Sequence, residues 1–249
     1  MKKLFAALLI AASAHVGAAP ACSQFVPNAQ FPVLANAKMA PKTRLLCYSD
    51  FAVLHSGLTH GPLWSVEHLT RTHLHDAKEQ VRTNKFFEDP SLPPGEGATL
   101  ADYKRSGFDR GHMSPAGDRW NPEAMAQSFT LANVVPQDRE NNQHVWAHIE
   151  SAVRKLATRY GDAYIATGPL FTGQSLRTIG ATRVFVPTQL FKVVYVPAAN
   201  EAFAIVVDNV ATRRYDVKTV HELEAMSGIR FPGIPEALKD QRIGGLKGV

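Results

Sequence analysis

The chain has 249 residues, 45% of them apolar or aromatic, a formal charge of +5 and two cysteines. This length is ample for one hydrophobic core and short for two, and no compositional break or Gly/Ser linker divides it, so a single domain is expected. No apolar run is long enough to span a bilayer, and the mild basic excess suits a polyanionic partner without identifying one.

Lys2 and Lys3 supply a positive start, residues 4–14 an apolar stretch and residues 18–21 small side chains. That is the pattern of a cleavable secretory signal over residues 1–21. Cleavage is expected just before Cys22, with a cut near Ala18 as second choice. A lipid-modified Cys22 is the competing reading, disfavoured because Ala19 stands where lipoprotein sites usually carry Leu. The mature protein is therefore expected to be secreted or periplasmic and to have lost the two lysine charges. In an oxidising compartment an even cysteine count points to pairing. A Cys22–Cys47 disulfide would tether an otherwise loose N-terminal arm, residues 22–60, and contribute about 3 kcal/mol by restricting the unfolded chain.

Short runs rich in Val, Ile, Phe and Tyr recur at residues 51–55, 63–69, 163–167, 184–186, 190–196 and 202–208, mostly separated by Pro, Gly or Asn. The last two, joined by residues 197–201, predict an antiparallel hairpin with a medium loop, so parallel βαβ order is not expected. Residues 90–97, with three prolines and two glycines, read as an exposed loop. A short helix is predicted after Asn121, which is placed to cap it, with Pro122 suited to the first helical position. The longest helix follows Asn142, with Val145, Ile149, Val153, Leu156 and Tyr160 at helical spacing and Gly161 closing it. A third opens on the capping-box pattern Thr219-x-x-Glu222 and ends at Gly228. Helices clustered between groups of antiparallel strands predict an α+β fold, a layered domain around a central antiparallel β-sheet.

The stretch that carries chemistry is Ser106-Gly107-Phe108-Asp109-Arg110-Gly111-His112-Met113-Ser114-Pro115-Ala116-Gly117-Asp118-Arg119-Trp120, followed by Asn133-Val134-Val135-Pro136-Gln137 and Asn142-Gln143-x-x-Trp146. His112 can accept a proton from water when neutral. Arg110 and Arg119 offer forked, permanently charged donors to phosphate oxygens. Asn142 offers a carbonyl oxygen suited to a hard cation such as Mg2+.

At these residues the sequence resembles the DNA/RNA non-specific endonucleases of the ββα-metal group. Their DRGH tetrapeptide stands here as Asp109 to His112, and the helix bearing Asn-Gln carries a Glu eight and an Arg twelve residues beyond that Asn, here Glu150 and Arg154. The likeness runs from about Trp64 to Gly228 and includes residues 166–170, Pro187-x-x-x-Phe191-Lys192 and Leu223-Glu224-x-x-Ser227-Gly228. It implies a ββα-metal active site within residues 61–249 and an endonuclease acting on DNA and RNA without strong sequence specificity, which the signal pattern would make an exported one. Mg2+ is the implied cofactor, with Mn2+ as its substitute. His112 would be the general base and Asn142 the main direct metal ligand, with water completing the shell. Glu150, and Asp109 with it, would orient that water. Arg110 and Arg154 would hold the scissile phosphate, and Arg82 resembles a further substrate arginine in a region of irregular spacing. In-line attack leaving 5′-phosphate and 3′-hydroxyl ends is implied too, and a homodimer is left open.

Each assignment has a plainer counterpart. Glu150 followed four residues later by Arg154 is also an ordinary helix-stabilising pair, and Asn141 competes with Asn142 as ligand or cap. His55, His60, His68, His73 and His75 match no common zinc spacing and read as surface or incidental residues. Trp64 and Trp146 suit a core, while Trp120 is left open between packing and base stacking. A non-catalytic nucleic-acid-binding module of the same fold, or a phosphodiesterase for a smaller ester, would carry the same residue types. An ordinary histidine base predicts activity rising through about pH 6 to 7.

Overall fold

The computed structural model describes residues 21–242 and Leu246; the signal segment lies outside the described residues apart from Ala21. The short strand β1 (Val33–Leu34) precedes three sheet strands, β2 (Thr43–Cys47), β3 (Ala52–Ser56) and β4 (Gly61–Thr70). Helices α1 (Arg71–Asp76) and α2 (Leu100–Tyr103) lead to β5 (Asp109–His112), α3 (Pro122–Ser128) and β6 (Val134–Gln137). The long helix α4 (Ala147–Tyr160) feeds β7 (Asp162–Leu170), followed by the small pair β8 (Thr178–Ile179) and β9 (Val184–Phe185). The hairpin β10 (Gln189–Val196) and β11 (Glu201–Asp208), then β12 (Asp216–Lys218), α5 (Val220–Ser227) and β13 (Ile229–Arg230) complete the order.

Seven strands form one sheet in the order β12-β11-β10-β7-β4-β3-β2, and every pairing in it is antiparallel. The expected α+β fold with a central antiparallel sheet is thus the observed one. Residues 22–60 enter the same body rather than standing apart as an arm. β2 is an edge strand of the sheet, β3 lies between it and β4, and Phe25 and Val26 are buried in the core. The Cys22–Cys47 disulfide is formed, with Cα atoms 5.6 Å apart, and joins that buried start to the outermost strand.

Alternation along the strands gives the sheet two apolar faces. Trp64, Val66, Phe191, Val193, Ala204 and Val206 face a layer made by Phe25, Val26, Leu223, Phe231, Ile234 and Leu238. Ile165, Leu190, Val194, Phe203, Ile205 and Val207 face the other way, toward α4. That helix presents Ile149, Ala152, Val153, Leu156 and Ala157 on one stripe, and full burial of each Val, Leu or Ile side chain contributes about 1.5–3 kcal/mol. The caps read from the sequence are in place. Asn121 Oδ1 accepts from Ala124 N, Thr219 and Glu222 form a reciprocal box, and Gly228 closes α5 in the left-handed region. Gly161 ends α4 with a φ of 105°, where a side chain would be strained.

One departure positions the site. The helix before α4 does not start as a regular α-helix: residues Asn141–Trp146 form a π-helical turn. An unbroken α-helix, turning about 100° per residue, would set Asn142 about 80° from Glu150 and about 120° from Arg154. The wider π turn rotates Asn142 back onto their face.

Candidate active site

Strand β5 pairs with β6, placing Asp109 opposite Gln137, Arg110 opposite Pro136, Gly111 opposite Val135 and His112 opposite Val134. Two-residue alternation puts Arg110 and His112 on one face of this ribbon. Gly111 is required by what lies beside it, since a Cβ there would overlap the Gln137 side chain. Buried Asn133 fixes the turn after His112: its Oδ1 accepts from Ser114 N at 3.0 Å and its Nδ2 donates to Ser114 O at 2.8 Å. The β5–β6 ribbon and the following helix together make the ββα unit expected from the motif.

A cleft of about 270 Å³ is lined by Arg82, Arg110, His112, Asn142, Glu150 and Arg154, together with the turn at residues 115–117 and Ala147. Six of the seven side chains singled out from the sequence for phosphate binding, metal binding or catalysis therefore share one cavity, Arg119 being the exception. Asp109 stands beside it. Its Oδ2 accepts from Asn142 Nδ2 at 3.0 Å and from Gln143 Nε2 at 2.9 Å. Asn141, the rival of Asn142, is fully buried: its Oδ1 accepts from Gln137 Nε2 and its Nδ2 donates to Asp208 O.

His112 is 8% exposed and its Nε2 has no hydrogen-bond partner. Phe86 and Phe129 enclose the ring, with centroids 5.3 and 5.1 Å away. Burial, followed by repulsion from Arg82, Arg119 and Arg110, pushes its pKa down to about 3. The expectation of an ordinary histidine titrating at about pH 6 to 7 is thereby corrected: the imidazole is neutral throughout that range. The same two phenyl rings carry the arginines, Arg110 Cζ lying 4.2 Å from the Phe86 centroid and Arg82 Cζ 5.1 Å from that of Phe129. Stacking leaves the guanidinium edges available for oxygen acceptors.

Glu150 behaves oppositely. Burial, reinforced by Asp118 and opposed by Lys192, Arg154 and Arg82, raises its carboxyl to about 7. Lys192 lies beneath the cleft, buried, with Nζ 2.6 Å from Thr167 Oγ1 and over the Trp146 ring. Arg154 Nη1 donates to Asp118 Oδ1 at 2.8 Å, which fixes the guanidinium against the 115–117 turn.

Arg119 is not a phosphate ligand. It is fully buried and pairs with Asp50 Oδ2 at 3.1 Å and with Glu67 Oε2. Two carboxylates facing inward from the sheet side demand that cation. Ser114 Oγ also donates to Glu67 at 2.6 Å, so this buried cluster braces the His112 turn from behind. Trp120 is committed too, its Nε1 donating to Asp50 Oδ1 and its ring stacking on His73. Trp64 and Trp146 are buried in the two cores. Among the histidines set aside as surface or incidental, His55 is in fact buried, with Nε2 2.9 Å from Glu96 O, and His68 pairs with Asp162. Phe86, Phe129, Asp118 and Glu67 escaped sequence reasoning. Only Asp118 carried a signal, its place within the motif stretch.

A family model described as DNA/RNA non-specific endonuclease matches residues 33–234, beyond both ends of the 64–228 stretch read from motifs. Xenopus laevis mitochondrial nuclease EXOG is 36% identical over 205 residues, covering 74% of this chain and 57% of that protein. Human mitochondrial endonuclease G is 34% identical over 236 residues, 88% of this chain and 75% of that one. Nuclease C1 of Cunninghamella echinulata var. echinulata is 37% identical over 68% of this chain and 74% of its own length. This chain spans only 57% of the length of the Xenopus laevis and human EXOG proteins. A solved structure of the EndoG/EndoGI complex superposes with a TM-score of 0.74 at 27% identity, over 79% of this chain and 88% of that one. With the DRGH ribbon, the following helix and the antiparallel sheet arranged around one cleft, this chain belongs to the DNA/RNA non-specific endonuclease family.

Proposed function

We propose that the protein is an exported, divalent-cation-dependent endonuclease that hydrolyses phosphodiester bonds of DNA and RNA with little regard for sequence. The observation that carries this reading is a neutral, desolvated imidazole sharing one cleft with three arginines and a side-chain amide. The donor set fits a hard cation, Mg2+ or Mn2+. Asp109 occupies the amide nitrogen of Asn142, which leaves the carbonyl oxygen as ligand. Among the described residues no group of three or more His, Cys, Asp or Glu could cage a metal. Most of the coordination must then come from water and substrate, the mode Mg2+ favours. When bound, such a cation supplies positive charge against the phosphate and the departing alkoxide.

The chain's own groups do the rest. His112, which lines the cleft, accepts the proton of the attacking water. Glu150, once ionised, orients solvent in the cleft. Arg110 and Arg154, with Arg82 across from them, hold the scissile phosphate and oppose the charge that grows on pentacoordinate phosphorus. Asp118 and Asp109 are positioning residues, one for Arg154 and the other for Asn142. In-line displacement leaves a 5′-phosphate and a 3′-hydroxyl without a covalent intermediate.

Export is supported by the Cys22–Cys47 disulfide, a bond that persists in oxidising compartments. No helix among the described residues is long and apolar enough to cross a membrane. The direct test is incubation of purified mature protein with supercoiled plasmid and with RNA, in Mg2+, Mn2+ or EDTA. Cleavage of both in either metal and of neither in EDTA is expected; inert nucleic acid in all three conditions refutes the reading.

A further inference from the structure

The exposed side of α4 does not end at the catalytic cleft. Beyond Arg154 the same helix lines a second groove of about 440 Å³, and Arg154 and Gly117 belong to both cavities. Ser151, Lys155 and Thr158 form one wall, and Lys78, on the turn Ala77–Glu79 after α1, stands on the other. Gly117 keeps the junction low: a Cβ there would come within 3.3 Å of Arg154 Nη1.

The groove is electrostatically one-sided. No Asp or Glu lines it among the described residues. Lys78 and Lys155 are exposed, and neither has an ion-pair partner among the described residues. Exposed lysines are common and by themselves mean little. These two line a concave groove that shares Arg154 and Gly117 with the cleft. From Arg154 to Thr158 the helix advances four residues, about 6 Å, a distance on the scale of a single nucleotide step.

We propose that this groove is a second phosphate subsite, in which Lys78 and Lys155 hold the next backbone phosphate on one side of the scissile bond. The inference rests on the nuclease reading of the cleft and adds to it the length of substrate engaged. The ligand is the backbone phosphate of a polynucleotide, in DNA or RNA alike, so binding there is blind to base identity. A small diester with a single phosphate fills the cleft and leaves the groove empty.

The test uses the full mature chain with Lys78→Gln, Lys155→Gln and the double substitution. Binding of a fluorescent single-stranded oligonucleotide in EDTA is followed by anisotropy across salt concentrations. Each substitution is expected to weaken Kd about fivefold at low salt, and to flatten the slope of log K against log salt by about 0.7. Lys155→Arg restores the slope. With metal present, the loss in kcat/KM on the oligonucleotide falls mainly on KM. It exceeds the loss on bis(p-nitrophenyl) phosphate by at least about fivefold, the fold-change of one contact. An unchanged salt slope, or equal losses on both substrates, overturns the subsite. Failure of the nuclease reading shows differently, as wild-type protein that leaves plasmid and RNA intact, and the EDTA binding experiment still decides the groove in that event.

Discussion

Replacing Glu150 with Gln removes the only carboxylate among the described residues lining the catalytic cleft. Burial raises that carboxyl from 4.5 to about 7, so it is protonated below neutrality and gains its charge as pH rises through 7. If the ionised form is the active one, about a tenth of the enzyme is competent at pH 6 and about nine tenths at pH 8, a roughly tenfold climb. His112 contributes nothing to that limb, because its pKa is held at about 3. A cation nearby favours the charged carboxylate, so raising Mg2+ moves the inflection downward, never upward. The assay is the initial rate of plasmid nicking from about pH 5 to 9 at constant ionic strength. Wild type is expected to show the limb, and Glu150→Gln to be slower and flat. A limb near neutrality that survives in Glu150→Gln, or a wild-type rate flat across the whole window, refutes the assignment.

Arg119→Met leaves Glu67 and Asp50 buried without their counter-charge; breaking such a pair costs about 3–5 kcal/mol. Thermal unfolding should show a Tm lower by about 6–20 °C, and an unchanged Tm would deny the cluster its bracing role. The Cys22→Ser, Cys47→Ser double variant loses a bridge spanning 25 residues and should drop by about 3 kcal/mol, read as a lower denaturant midpoint with the slope m nearly kept. Asp118→Asn frees Arg154 from its 2.8 Å partner. It should lower kcat/KM on DNA by about tenfold, the cost of one charge-assisted contact, with rescue by Asp118→Glu. An equal rate in Asp118→Asn would show that the guanidinium needs no anchor.

Local chemistry was readable where neighbours in the chain determine it. The β10–β11 hairpin follows from β-branched runs on either side of a Pro- and Asn-containing loop, and α5 from its Thr219–Glu222 box. The DRGH stretch and the spacing from Asn142 to Glu150 and Arg154 point to five residues that line one cleft, and Arg82 joins them from a separate, irregularly spaced segment. What escaped depends on contacts distant in sequence. Strand β2 is an edge strand whose exposure pattern does not alternate, so period-2 reasoning had nothing to detect. Arg119, two residues past the 115–117 turn, looks like a phosphate ligand until Glu67 and Asp50 converge on it from elsewhere in the chain. The low pKa of His112 arises from Phe86, Phe129 and three arginines, none but Arg110 and Arg119 within the motif stretch. The π turn that brings Asn142 onto the face of Glu150 and Arg154 leaves no mark in apolar periodicity, since Val145 and Ile149 are buried either way.

Everything catalytic in this account requires His112 to take a proton in a cleft that also holds a cation at Asn142. Single-turnover nicking of supercoiled plasmid by wild type and His112→Ala, each in Mg2+ and in EDTA, tests this most directly. Wild type is expected to nick in Mg2+ and not in EDTA, and a His112→Ala protein that is folded and still retains plasmid on a filter to be at least about a hundredfold slower. Nicking by His112→Ala at the wild-type rate, or by wild type in EDTA, would contradict it.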